Sequence, residues 1–216
     1  MSNATRKLCF LFILAALAMT LSTSVARADV ITFSGLSGGN NTPFTTYTEG
    51  SFTVTPTFGS WFQDDTLYGN PAPSIYAGPI GSPVSAEILV TGTGDFTWSS
   101  VDYSSNNGIA LIQVIGELGG VVQFSEADFV AASLPPGFGF STLNATGTDS
   151  SAVIDSLYIA VAPAIPNGGP LTPTTTSINL DNINLSPIPE PGSLLLLGSG
   201  LAGVIIARRK AVAVRR

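Results

Sequence analysis

The side chains able to do chemistry in this 216-residue chain are nearly all carboxylates. Fourteen Asp and Glu residues lie between Asp29 and Glu190, an interval without Lys, Arg, His or Cys. The eight basic residues are Arg6, Lys7, Arg27, Arg208, Arg209, Lys210, Arg215 and Arg216, so a net charge of -6 conceals a body of formal charge near -14. Such a body cannot form a Ser-His-Asp triad, a cysteine nucleophile or a lysine Schiff base. It lacks the nitrogen and sulfur ligands of an ordinary zinc site, and it has no disulfide. Nucleic acid and anionic membranes are excluded as its partners, because nothing in it neutralises phosphate. Hard cations and acid/base pairs of carboxylates remain. For most of the acids, solubility is explanation enough.

Two pairs of acids could in principle flank a scissile bond. Asp64 and Asp65 are adjacent, so in a strand they point to opposite faces and cannot share one substrate. Asp102 and Glu117 fall on separate strands and are the better pair for a glycosidase, with a separation the sequence leaves open. A polysaccharide lyase would want a basic residue beside the substrate carboxylate, and the body has none. Between Phe58 and Pro83 lies the least strand-like stretch, read as a long loop with Trp61, Phe62, Asp64, Asp65, Tyr68 and Tyr76 among glycines and prolines. Ring faces beside carboxylates suit sugars, since the rings stack on C–H groups and the carboxylates accept hydroxyl protons. Most of these aromatics serve to pin the loop; Trp61, Tyr68 and Asp64 are the expected sugar contacts.

These residues must be positioned by a β framework. Roughly 160 residues suit one domain with a full core, and short β-branched and aromatic runs bounded by turn residues indicate an all-β sandwich. Strands are expected near 30–33, 51–57, 86–91, 95–103, 109–117, 121–124, 140–144, 152–161 and 177–185, with one short helix or turn over 125–132. Two strands change phase. Ile178 and Leu180 share one parity but Ile183 and Leu185 the other, with Asp181-Asn182 between them. Phe96 and Trp98 likewise give way to Val101 and Tyr103 across Ser99-Ser100. Either a β-bulge restores one buried face at each place, or both faces are partly covered. Residues 163–176 read as a second, solvated loop, and Ser186-Pro187-Ile188-Pro189 as a stiff extended stalk.

The termini carry addresses. Arg6-Lys7, an apolar run from Leu8 to Leu21 and Ala26-Arg27-Ala28 form a secretory signal peptide over 1–28, cut after Ala28. Cys9 starts the apolar run, whereas a lipidated cysteine would follow it. At the other end Pro189-Glu190-Pro191 precedes an apolar run from Ser193 to Ala207 and then Arg208-Arg209-Lys210. Fifteen residues make roughly 22 Å of helix, short against a hydrocarbon core of about 30 Å, so snorkelling arginines must help it span. The basic cluster marks its cytoplasmic side.

Pro189, Glu190, Pro191, the short span and Arg208, Arg209 and Lys210 resemble the PEP-CTERM sorting signal. That resemblance implies recognition by an exosortase, cleavage near Pro-Glu-Pro, and transient anchoring in the membrane before release or attachment at the cell surface. It divides the chain into signal peptide 1–28, ectodomain 29–186 and sorting signal 187–216. Within the ectodomain, Phe96 to Tyr103, Val114 to Gly120 and Leu180-Asp181-Asn182-Ile183, with Ile31-Thr32-Phe33 and Tyr47-Thr48-Glu49-Gly50, resemble a common class of PEP-CTERM ectodomains, themselves similar to jelly-roll carbohydrate-binding modules. In those modules an early acid and an aspartate of the last strand share a structural calcium; the matching positions are Glu49 and Asp181. The leading functional expectation is a non-enzymatic surface sandwich associated with extracellular polysaccharide and binding carbohydrate. A matrix component assembling through divalent cations is the alternative, and a carboxylate-based glycoside hydrolase ranks third.

Overall fold

A computed structural model of the chain describes residues 28–66, 69–78, 85–106, 108–130, 139–164, 177–188 and 198. Apart from residue 198 these fall in one compact unit, Ala28–Ile188. The expected signal peptide up to Arg27, Tyr68, and the sorting residues from Pro189 to Lys210 lie outside the described set, Gly198 excepted. Among the described residues no helix is long and apolar enough to cross a membrane.

The architecture is all-β. Its strands are β1 (Asp29–Ile31), β2 (Thr42–Phe44), β3 (Tyr47–Glu49), β4 (Phe52–Phe58), β5 (Trp61–Asp64), β6 (Ser74–Ala77), β7 (Ala86–Ser105), β8 (Ile109–Leu118), β9 (Val121–Val130), β10 (Ser141–Asn144), β11 (Ile154–Ala164) and β12 (Ile178–Pro187). A 3-10 turn at Asp149–Ser151 precedes β11. Every pairing is antiparallel, and the two runs expected at 86–91 and 95–103 are one strand of 20 residues. The first half of β7 lies between β4 and β11, its second half between β12 and β10. One layer therefore runs β3-β4-β7-β11-β8-β9 and the other β2-β5-β6-β12-β7-β10, with β1 beside the end of β12. Gly92 lies where β7 passes between them: a Cβ there would stand 2.8 Å from the Gly94 carbonyl and 3.2 Å from the rings of Phe52 and Phe96.

The inner faces meet through aromatic contacts. Trp98 of β7 stacks on Phe124 of β9 at 5.5 Å and 12°, and Phe52 meets Phe96 edge-on at 5.1 Å. Tyr103 donates its hydroxyl proton across the sandwich to Asp128 Oδ2 at 2.7 Å. Ile88, Val90, Ile112, Val114, Leu157 and Ile159 fill one side of the core; Val101, Leu180, Ile183 and Leu185 fill the other.

Both phase changes are bulges, and they compensate each other. Between the pairs Asp181–Asp102 and Asn184–Ser100, β12 carries an extra residue; between Asn184–Ser100 and Leu185–Trp98, β7 carries one. Register is thereby restored and all eight apolar residues of the two switches stay inside. Asn182 takes the left-handed conformation (φ 45°) that the extra residue demands, one that asparagine tolerates better than most side chains.

Several expectations are corrected. Residues 125–130 are strand, continuing β9: pairing with β8 overrides the helical cast of Ser-Glu-Ala-Asp, and Phe124 and Val130 are buried on the inward side. The stretch 58–83 contains the β5–β6 hairpin, with β2 alongside. Ser186 and Pro187 belong to β12, and the Ile188 N–H donates to the Asp95 carbonyl, so the stalk is part of the sheet up to there.

Candidate functional site

The two outer faces of the sandwich differ. On the β5-β6-β12-β7-β10 layer, register sets Asp64 beside Ser74, Asp181 beside Asp102, and Asp102 beside Thr142. Continuing the β6–β12 register by one residue sets Ser74 beside Asp181. A single row thus crosses five strands and brings together acids at positions 64, 102 and 181. In the next row Phe62 stacks on Tyr76 at 5.6 Å, Tyr76 pairs with Asn179, and Asn179 with Ser104. Asp64, Ser74, Tyr76, Asp102, Ser104, Asn179 and Asp181 are all buried.

Asn70 closes over this row. Its backbone N–H donates to Asp181 Oδ2 at 2.6 Å and its side-chain amide to Asp102 Oδ2 at 3.1 Å. The Asn182 backbone N–H reaches Asp181 Oδ1 at 2.8 Å, and the Asn182 amide donates both to Asp102 Oδ2 and to the Asn70 carbonyl. Thr142 donates to Asp102 Oδ1 at 2.6 Å. Burial raises the Asp181 carboxyl to about 7, with the carboxylates of Asp102 and Glu49 pushing the same way and the two backbone N–H donors opposing. All of these donors are neutral.

Glu49 has a different cradle. Its Oε2 accepts from the backbone N–H groups of Thr32 and Phe33 at 2.9 and 3.0 Å and from the Tyr47 hydroxyl at 3.1 Å; its Oε1 accepts from Thr32 Oγ1 at 2.8 Å. Phe33 sits at φ 56° to present its N–H. Four donors occupy this carboxylate, so Glu49 does not fit the role of calcium ligand: a cation would have to displace protons aimed at the same lone pairs. Among the described residues no three acids gather as a metal-binding group.

Two of the expected sugar contacts, Trp61 and Asp64, are not where a sugar could reach them. Trp61 is 2% exposed, faces the core and donates Nε1–H to the Glu87 carbonyl at 3.2 Å. Asp64 is also 2% exposed and accepts from the Thr66 N–H at 3.3 Å. Asp102 and Glu117 cannot act as a pair, because Asp102 lies on the outer face of one layer and Glu117, opposite Ser156, on the outer face of the other. Asn70 and Thr142, which hold the acids, carry no sequence signal of their own, being ordinary polar residues in loop and edge strand.

Among the described residues the outer face of the β4-β7-β11-β8-β9 layer is open. Its alternating residues Leu89, Leu111, Gln113, Ile115, Tyr158 and Ala160 are half-buried and meet no covering element among the described residues. Phe58 and Phe129 stand 63% and 64% exposed at its margins.

Comparison with known proteins agrees with the C-terminal reading. Residues 187–210 match the PEP-CTERM protein-sorting motif. The chain is thus an all-β sandwich with a sorting motif at its C-terminal end, the mark of an exported cell-surface protein. That motif begins at the last residue of β12 and spans Pro189-Glu190-Pro191 to Arg208-Arg209-Lys210. Among solved structures, a DUF4465 family protein from Bacteroides caccae is similar over 74% of this chain and 98% of its own, at 10% identity and a TM-score of 0.45. A variant of CBM29-2, a family 29 carbohydrate-binding module, is similar over 75% of this chain and 92% of its own, at 13% identity and a TM-score of 0.33. CBM32-3 from a family 31 glycoside hydrolase of Clostridium perfringens shares 51% of this chain and 75% of its own, at 8% identity and a TM-score of 0.27. Among curated proteins none matches the chain.

Proposed function

We propose that this protein is a non-enzymatic, surface-displayed sandwich, processed by an exosortase, that associates with extracellular polysaccharide by binding carbohydrate. The observation that carries the reading is the contrast between the two outer faces. One is closed, and its acids are engaged by Asn70, Asn182 and Thr142, out of reach of a substrate. The other is an open sheet face of apolar and neutral polar side chains. A body with fourteen acids and no base between Asp29 and Glu190 favours an uncharged partner over a polyanion.

Retention of the full chain, in detergent, on immobilised extracellular polysaccharide of its source cells tests this. The expected result is retention that chelator does not abolish. Absence of retention, together with calcium-dependent light scattering, would move the protein to the matrix class that assembles through divalent cations.

A further inference from the structure

From the open face we infer a binding groove for an extended, uncharged glycan, running across the strands between Phe58 and Phe129. The inference rests on the carbohydrate-binding reading and adds to it a place and a ligand class.

Register defines the groove. One outward row runs Ala127, Gln113, Ala160, Glu87 and Phe58 across β9, β8, β11, β7 and β4. The row on one side runs Phe129, Leu111 and Ala162; the row on the other runs Ser125, Ile115, Tyr158, Leu89 and Thr55. Alanines at 127 and 160 leave the floor low, Phe58 walls one end of the row, and Leu111 and Tyr158 stand on its two sides. The depression against Phe58, Glu87, Leu111, Gln113, Ala160 and Ala162 holds about 190 Å³. Five strands at about 4.8 Å spacing give the row a length of roughly 19 Å, enough for a chain-like ligand rather than a single small molecule.

Its chemistry selects hydroxyls. Glu87 Oε1 accepts from Thr57 Oγ1 at 2.6 Å, and Gln113 Nε2 donates to Ser125 Oγ at 3.1 Å. Glu87 Oε2 and Gln113 Oε1 accept nothing among the described residues, so the groove offers acceptors to a ligand rich in donors. Two exposed phenylalanines and a tyrosine supply ring surface for the C–H faces of sugar rings. A peptide in β-strand addition would seek a sheet edge, not this face. A second copy would bring another body of formal charge near -14 against the first. A polyuronate would meet Glu87 and Glu117 with no base to neutralise it.

The test is titration calorimetry of the full chain, in detergent, against mixed-linkage β-glucan and galactomannan as neutral probes and alginate as the anionic one. Phe58→Ala and Phe129→Ala remove walls that are already exposed, and Ala160→Gln fills the floor. Binding to at least one neutral probe is expected, weakened about tenfold by each variant, with melting temperatures close to wild type. Unchanged affinity in all three variants would overturn the groove and leave carbohydrate binding standing elsewhere on the sandwich. Preference for alginate would overturn the ligand class. Failure of the wild type to bind any of the three probes would remove the groove and the carbohydrate reading together.

Discussion

Asp181 of β12 and Asp102 of β7 are cross-strand partners in the middle of a sheet, and both carboxylates take their hydrogen bonds from amides and a hydroxyl. Burial raises the cost of charging Asp181, whose carboxyl is pushed up to about 7, and the like charge of Asp102 beside it adds to that. In the unfolded chain the same group titrates near 4. Between those values the folded state holds the proton that the unfolded state has lost.

Stability therefore falls as pH rises from about 4 to about 7, and levels off above it. Thermal melts across pH 4 to 9 are expected to show this decline. Asp181→Asn flattens it, while lowering the melting temperature at pH 4, because its NH2 would face a backbone N–H and, unlike a carboxyl oxygen, cannot accept from it. An unchanged slope in the variant would show that other groups set the pH dependence.

Glu49 accepts from four protein donors. Chelator is expected to leave the melting temperature of the full chain unchanged. Glu49→Gln, which puts an NH2 group among four donors, is expected to cost about 1–3 kcal/mol in calcium and in chelator alike. A chelator-sensitive wild type whose calcium response disappears in Glu49→Gln would reinstate the cation.

The ring of Phe124 lies over Gly116, its cross-strand partner, in the space a Cβ would need. Gly116→Ala is expected to destabilise by about 1–3 kcal/mol, and to alter the near-ultraviolet circular dichroism through the Trp98–Phe124 stack. In Phe124→Ala the same glycine substitution should cost much less, a non-additivity read directly from a double-mutant cycle.

Tyr103→Phe removes the one side-chain hydrogen bond described between β7 and β9. Asp128 remains exposed and can take water, so the expected loss is about 0.5–1.5 kcal/mol by urea denaturation. The cost should vanish in an Asp128→Ala background.

Parts of this structure could be read from the chain because alternation survives in them. Phe96, Trp98, Val101 and Tyr103, like Ile178, Leu180, Ile183 and Leu185, keep a period of two on either side of a break, and the break marks the place where either a bulge or a second covered face is required; the pairing register decides for the bulge. Strands β2, β3, β5 and β6 are only three or four residues long, too short for a period to register, and β2 even contains Pro43. Trp61 and Phe62 are adjacent aromatics, and nothing local says which one turns inward. The row through positions 64, 74, 102, 142 and 181 belongs to five strands; only the strand order assembles it. Residues 125–130 have helical residue types yet form an edge strand, because pairing with β8 decides where propensity is weak.

The C-terminal end of β12 is also the end that leads into the sorting motif. Along its length this strand is bonded to β7 on one side and to β6 and then β1 on the other. Its hydrogen bonds lie across the strand direction, so a pull on an anchored C-terminus would load many of them together in shear rather than unzip them singly. Through the unbroken course of β7, that load would pass from one layer into the other. Were the C-terminus held at a cell surface, the strand leading to it would thus be the one best placed to resist drag.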